Sequence, residues 1–147
     1  MIRFKANLSP SSLNKLAEEL TRYTNNLEQA KIEIVQALTD YVYERIMAYV
    51  PVDTGTLQAS FVEEVSGNIG RVYTDLYYAK YVEFGTGVRG SSSAYDLNKL
   101  QISDAWRGYN ENYKGQDAQK FIYRAVQDLE TNYRSIARNI LKQKGLI

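Results

Sequence analysis

The sequence has no cysteine and no histidine. Without thiols there is no disulfide and no cysteine nucleophile; without imidazoles there is no Cys/His zinc site and no Ser-His-Asp hydrolase. The missing cysteine does not by itself separate a reducing from an oxidising compartment. Charge of one sign is also lacking. Eighteen Lys and Arg stand against seventeen Asp and Glu, a net charge of +1, which argues against a dedicated nucleic-acid binder. No apolar run approaches a membrane span, and the start Met1-Ile2-Arg3-Phe4-Lys5 has none of signal-peptide length. The expected setting is the cytoplasm, or something assembled there, with no membrane partner. What is present suits one globular domain over 1–147: 147 residues, 44% of them apolar, with 24% charged. Thirteen tyrosines stand out, because tyrosine covers apolar area while keeping a polar handle, as interfaces require.

The two prolines punctuate the first half. Residues 2–6 read as a short strand or a lead-in. Ser9-Pro10 reads as an N-cap followed by proline at the first helical position. Leu13, Leu16, Leu20 and Leu27 then carry helical spacing through an N-terminal helical extension, 1–26. Thr24-Asn25-Asn26 is a candidate interruption, with Asn25 and Glu28 resembling a capping box. From Leu27 the stripe continues through Ala30, Ile34, Leu38, Tyr41, Val42, Ile46 and Tyr49 until Pro51 ends it. Leu57, Ala59, Phe61 and Val65, interleaved with Gln58, Ser60, Glu63 and Glu64, suggest a half-buried strand. Ser66-Gly67-Asn68 is a turn signal and 69–74 the return strand of a hairpin. The stretch 77–84 fits a short helix as well as a strand, and Gly85-Thr86-Gly87 stops it.

Periodicity is lost over 85–115, which contains five glycines and Ser91-Ser92-Ser93. Loops of that length in compact domains are usually functional, and this one is expected to be mobile. Its Tyr95, Leu97, Leu100, Trp106, Tyr109 and Tyr113 are too apolar for a mere linker and are candidate interface residues; 103–107 could form a helical turn. Asp117 is a plausible N-cap for a long amphipathic helix with Ile122, Ala125, Val126, Leu129, Tyr133, Ile136, Ala137 and Ile140 on its apolar face, and Gly145 suits its end. The expected fold is α+β: long N-terminal and C-terminal amphipathic helices packed on a small antiparallel sheet, with a long central loop. Tyr81 and Phe84 are expected to pack the short segment onto the hairpin, with Phe121 and Ile122 closing the core from the last helix.

Asp53-Thr54-Gly55 is the tripeptide that carries the catalytic aspartate of aspartic proteases, and Ile69-Gly70-Arg71 echoes the second element of the retroviral type. Two copies in a homodimer would supply the aspartate pair. The context opposes that reading, because a helix end and Pro51 precede the tripeptide and much of the chain reads as helix. The alternative is a turn in which Asp53 bonds backbone N–H groups and Gly55 supplies a permissive φ. Gly85-Thr86-Gly87-Val88-Arg89-Gly90 lacks the Lys-Ser/Thr of a phosphate-binding loop and reads as a hinge. Glu63-Glu64 reads as a solvated strand face rather than as acids or metal ligands, and nothing pairs with Glu83 at metal-ligand spacing. The last helical region holds six basic residues against three acidic ones; both the helix dipole and phosphate contact account for that excess.

Taken together, Pro51-Val52-Asp53-Thr54-Gly55-Thr56-Leu57-Gln58-Ala59-Ser60 and Tyr78-Ala79-Lys80-Tyr81-Val82-Glu83-Phe84-Gly85-Thr86-Gly87 form a specific pattern. It resembles the tail-component family of tailed bacteriophages, small proteins of the head–tail junction often called tail completion or neck proteins. There a helix ends in P-V-D-T-G-x-L-x-x-S, and a hairpin leads to Y-A-x-Y-V-E-F-G-T. A mobile loop then leads to an A-x-P-F-L-x-P-A element. Ala118-Gln119-Lys120-Phe121-Ile122-Tyr123-Arg124-Ala125 stands at that element with Lys120 and Arg124 in place of both prolines. The resemblance covers about 27–142, and the region before Leu27 carries none of it. It implies structural roles for Pro51, Asp53, Thr54, Gly55, Leu57, Tyr78, Tyr81, Glu83, Phe84, Gly85, Gly87 and Phe121, with no catalytic residue, no cofactor and no metal. It further implies a non-enzymatic virion protein, assembled in the bacterial host cytoplasm as a ring of six copies. The neighbouring neck protein and the tail terminator or tail tube would be its partners, and DNA would pass through the lumen without sequence-specific binding. The alternatives are another capsid-associated phage protein and the single-motif aspartic protease.

Overall fold

A computed structural model describes residues 10–93 and 112–147. The first helix, α1 (Pro10–Tyr49), begins on its proline and runs unbroken for 40 residues. Thr24-Asn25-Asn26 does not interrupt it: the Thr24 hydroxyl donates to the Leu20 carbonyl 2.9 Å away, one turn back, so the polar side chain is absorbed by the helix itself. The Val50 N–H still reaches the Ile46 carbonyl before Pro51 stops the ladder. A one-turn helix, α2 (Thr56–Ala59), follows and leads into β1 (Val62–Ser66) and β2 (Ile69–Tyr73). Then come two short helices, α3 (Ala79–Phe84) and α4 (Gly87–Ser93), and the long α5 (Phe121–Gln143). The architecture is α+β as expected, with two long helices beside a two-stranded antiparallel sheet.

Several local expectations are corrected. Residues 57 and 59, read as strand, lie in α2. Leu57 and Phe61 are four apart, so they satisfy a helical turn as well as an alternation, and both are buried. The stretch 77–84 resolves as a turn at 77–78 followed by helix from Ala79. Residues 87–93, inside the supposed loop, form α4, and the remainder of that loop from 94 to 111 lies outside the described residues, as do the turn proposed at 103–107 and the lead-in at 2–6. No helix among the described residues is long and apolar enough to cross a membrane.

The core joins four parts of the chain. Ile46 and Val50 come from α1, Leu57 and Phe61 from the α2 region, Ala79 from α3, and Phe121 and Ala125 from α5. Phe121 is wholly buried, and its ring meets Phe61 edge to face with centroids 5.9 Å apart. Phe84 is only half-buried, in the cleft beside Val72 and Ile122, and Tyr81 is 44% exposed, so the pair expected to pack the short segment onto the hairpin is covered less than Phe121. Phe121→Ala should therefore cost roughly 3–5 kcal/mol by urea unfolding, and Phe84→Ala visibly less.

The hairpin pairs Val62 with Tyr73 through to Ser66 with Ile69. That register turns Glu63, Val65 and Val72 toward the protein and Val62 outward. Glu63 thus faces α1, where Gln36 Nε2 donates to it across 3.1 Å and also to Asp40 Oδ1. The Asp40 carboxylate, hydrogen-bonded to Glu63, pushes the Glu63 pKa up from 4.5 to about 7. Burial and repulsion from Asp40 and Glu44 add to the rise; the Gln36 contact opposes it. Folded protein therefore holds a proton that unfolded chain releases above pH 4.5. The stabilisation is complete below that value and lost as pH climbs through about 7. Thermal melts of Glu63→Gln between pH 5 and 8 should lose this downward slope.

Candidate functional site

Pro51 to Ser60 builds a tight reversal between α1 and the hairpin. Gly55 sits at φ 83°, a left-handed turn open to glycine, and its carbonyl accepts the Ala59 N–H at 2.9 Å. The side chain that meets the turn is Thr54, not Asp53. Its hydroxyl lies 2.9 Å from the Thr56 hydroxyl and 3.4 Å from the Thr56 N–H, while Asp53 is exposed. Gln58 Nε2 donates back to the Met47 carbonyl on α1, and the Ser60 hydroxyl lies 2.6 Å from that of Thr74 beyond β2. The Asp-Thr-Gly tripeptide thus occupies a helix-to-helix turn rather than the end of an apolar strand.

The second motif forms α3, and its central residue is Glu83. Only 1% of Glu83 is exposed. Its carboxylate accepts the Ile122 N–H at Oε2 (2.8 Å) and the Tyr123 N–H at Oε1 (3.0 Å). These belong to the first turn of α5, whose N–H groups have no partner inside the helix and carry the positive end of its dipole. The contact is continued by the backbone: Gln119 N–H donates to the Val82 carbonyl and Lys120 N–H to the Glu83 carbonyl. Asp117, expected to cap α5, instead forms an exposed ion pair with Arg89, which raises the Arg89 pKa. Lys120 immediately precedes α5 at φ 55°, a left-handed conformation closed to proline, which explains a lysine where the resembled pattern has proline. Arg124, at the second such position, donates its N–H to the Lys120 carbonyl, which a proline could not do. Its guanidinium stacks 4.6 Å above the Tyr49 ring.

Gly85 ends α3 at φ 77°. A Cβ there would lie 2.7 Å from Ala118 N, Gln116 O and Gly90 Cα, so the position excludes any side chain. Next to it Thr86 and Gln116 exchange two backbone hydrogen bonds of 3.0 Å, and Val88 and Arg89 donate to the carbonyls of Tyr113 and Lys114. The glycine-rich stretch is thereby a clasp, not a hinge.

Both motifs meet around one recess of about 510 Å³, where Pro51, Asp53, Thr54, Gly55 and Leu57 face Tyr78, Val82, Gln116 and Gln119. Glu83, Gly85 and Gly87 are buried and do not line it, and Tyr81 is exposed. A second, more apolar cleft of about 490 Å³ lies between β2 and α3, lined by Val72, Tyr73, Leu76, Tyr77 and Phe84 among others. Of the candidate interface residues, Tyr113 is 47% exposed, while Tyr95, Leu97, Leu100, Trp106 and Tyr109 lie outside the described residues. The sequence reading missed the contacts that bind the long helices together. The Tyr49 hydroxyl donates to Asp128, which raises its pKa, and Asn132 Nδ2 donates to the Tyr41 hydroxyl at 3.0 Å. Tyr41 and Tyr49 in the α1 stripe were the available signal.

Comparison with known proteins gives a match over the first half of the chain. Residues 14–85 match the HK97-gp10-like family. Its description is "Bacteriophage HK97-gp10, putative tail-component". The HK97-gp10-like match supports a structural phage tail protein, located in the virion, that interacts with other phage structural proteins. It spans most of α1, then α2, the hairpin and α3, and stops at Gly85. It therefore starts before Leu27, inside the extension that carries no motif, and leaves out the element at 118–125. No curated protein and no solved structure matches the chain.

Glu83→Ala should leave the Ile122 and Tyr123 N–H groups without their acceptor and cost about 1–3 kcal/mol. Hydrogen exchange at these two amides should accelerate before that of Ala125, and Glu83→Gln, which keeps one acceptor oxygen, should fall between.

Proposed function

We propose that the chain is a structural virion protein that closes into a ring, six copies around, at the head–tail junction of a tailed phage. It joins the neighbouring neck protein to the tail terminator or tail tube, and double-stranded DNA passes through the lumen without sequence-specific contact. Assembly takes place in the host cytoplasm. The reading rests on the family match together with one observation about what the two motifs do. They hold the turns that join α1, the hairpin and α5 against one another, through backbone hydrogen bonds and the Glu83 carboxylate. Their polar groups serve the geometry of the fold, as expected of an assembly part, and the balanced charge of +1 suits DNA passage without tight binding.

The experiment combines electron microscopy of purified protein with an in vitro joining assay. Closed rings should form at high protein concentration, and added protein should restore joining between heads and tails that lack it. A protein that stays monomeric and leaves joining unrestored overturns the proposal.

A further inference from the structure

α1 and α5 run antiparallel, and the contacts between them fix how far α5 reaches. Tyr49 meets Asp128, Tyr41 meets Asn132, and Lys144 lies 2.8 Å from Glu33, just past the end of α5. The part of α1 from Pro10 to Gln29 therefore projects beyond α5 as an arm of about 30 Å at 1.5 Å per residue.

The arm has an apolar seam. Leu13, Leu16, Leu20, Tyr23 and Leu27 recur in alternating steps of three and four, and the same steps continue to Ala30 and Ile34. In heptad notation Leu13, Leu20, Leu27 and Ile34 are a positions and Leu16, Tyr23 and Ala30 are d positions. No charged residue falls on the seam. Lys15, Glu18, Arg22 and Glu28 take the outer positions b, c and f. Ala30 is fully buried where the seam runs into the α1–α5 interface, whereas Leu13, Leu20, Tyr23 and Leu27 are 46%, 50%, 53% and 37% exposed. Leu16 is half-buried, so one continuous strip is covered at one end and largely bare along the arm. A 3.5-residue repeat drifts only about 20° per heptad on a straight helix, so the strip keeps to one face along the arm, and its a/d spacing suits a second helix as occupant.

We infer that the arm docks on the same arm of a second copy of this chain. The seam continues an interface that already packs helix on helix, and two copies present matching apolar strips. Between Leu13 and Leu27 the residues bordering the seam are Ala17, Glu19, Thr24 and Asn26, so only one charge borders it on each arm. That leaves little like-charge repulsion between copies and no charge code for a different partner. The contact spans about two heptads, so it is weak alone and strengthens when other contacts hold the copies together.

The absence of cysteine makes the test direct, because one introduced thiol is the only thiol. Leu20 lies at the middle of the strip and meets its counterpart whether the arms run parallel or antiparallel. Under mild oxidation Leu20→Cys should form a disulfide-linked dimer about tenfold faster than Glu18→Cys, on the opposite face, because docking raises the local thiol concentration. Both sites are exposed, and far-ultraviolet circular dichroism of each variant should match that of the unmodified chain. Equal rates at the two sites, or no dimer at Leu20→Cys, overturn the inference. The assay reads arm contact without requiring a closed ring, so its outcome is separable from that of the ring experiment.

Discussion

A carboxylate buried between two helices organises this molecule. Glu83 sits at the end of a six-residue helix too short to be stable alone, yet both of its oxygens are committed to the Ile122 and Tyr123 N–H groups in the first turn of α5. The burial that would make a lone carboxylate costly is offset by those two donors and by the field of the helix end. The consequence is positional. With Ile122 and Tyr123 held, Phe121 is placed against Phe61, and Ala125 reaches the core one turn later. The α2 region, α3 and α5 are thereby located relative to one another by this side chain together with the backbone hydrogen bonds from Gln119 and Lys120, and α1 closes the remaining side.

The docking of α1 on α5 also shows where part of the tyrosine content goes. Tyr41 and Tyr49 cover apolar area with their rings and spend their hydroxyls on Asn132 and Asp128 across the helix pair. Arg124 lies over the Tyr49 ring and donates to the Tyr49 carbonyl. These residues work inside the subunit. The tyrosines left at its surface, Tyr73, Tyr77, Tyr81 and Tyr113 among them, are the ones available to a partner.

Much of this was readable from residue order alone. The α1 stripe, its stop at Pro51, the Ser66-Gly67-Asn68 turn and the start of β2 at Ile69 all depend on neighbours a few positions apart. The misreadings share a different cause. Over five residues, Leu57 and Phe61 fit a helix and a strand alike. Glu63 faces inward because Gln36 and Asp40, on another element, receive it. Asp117 has the right chemistry for a helix cap, but Glu83 takes that role from 39 and 40 residues away. Local pattern does not carry such distant partners. The two phage motifs were legible as strings, whereas their joint recess appears only when Tyr78 and Val82 are brought beside Thr54 and Leu57.

The paired hydrogen bonds between Thr86 and Gln116, reinforced by those from Val88 and Arg89, fasten the chain on both sides of its central span. α5 takes its bearings from this fastening and from Glu83, so its placement rests on residues that lie on either side of the stretch between Ser93 and Asn112. Lengthening a span whose ends are already together is inexpensive: each doubling costs only about 0.6 kcal/mol in closure entropy.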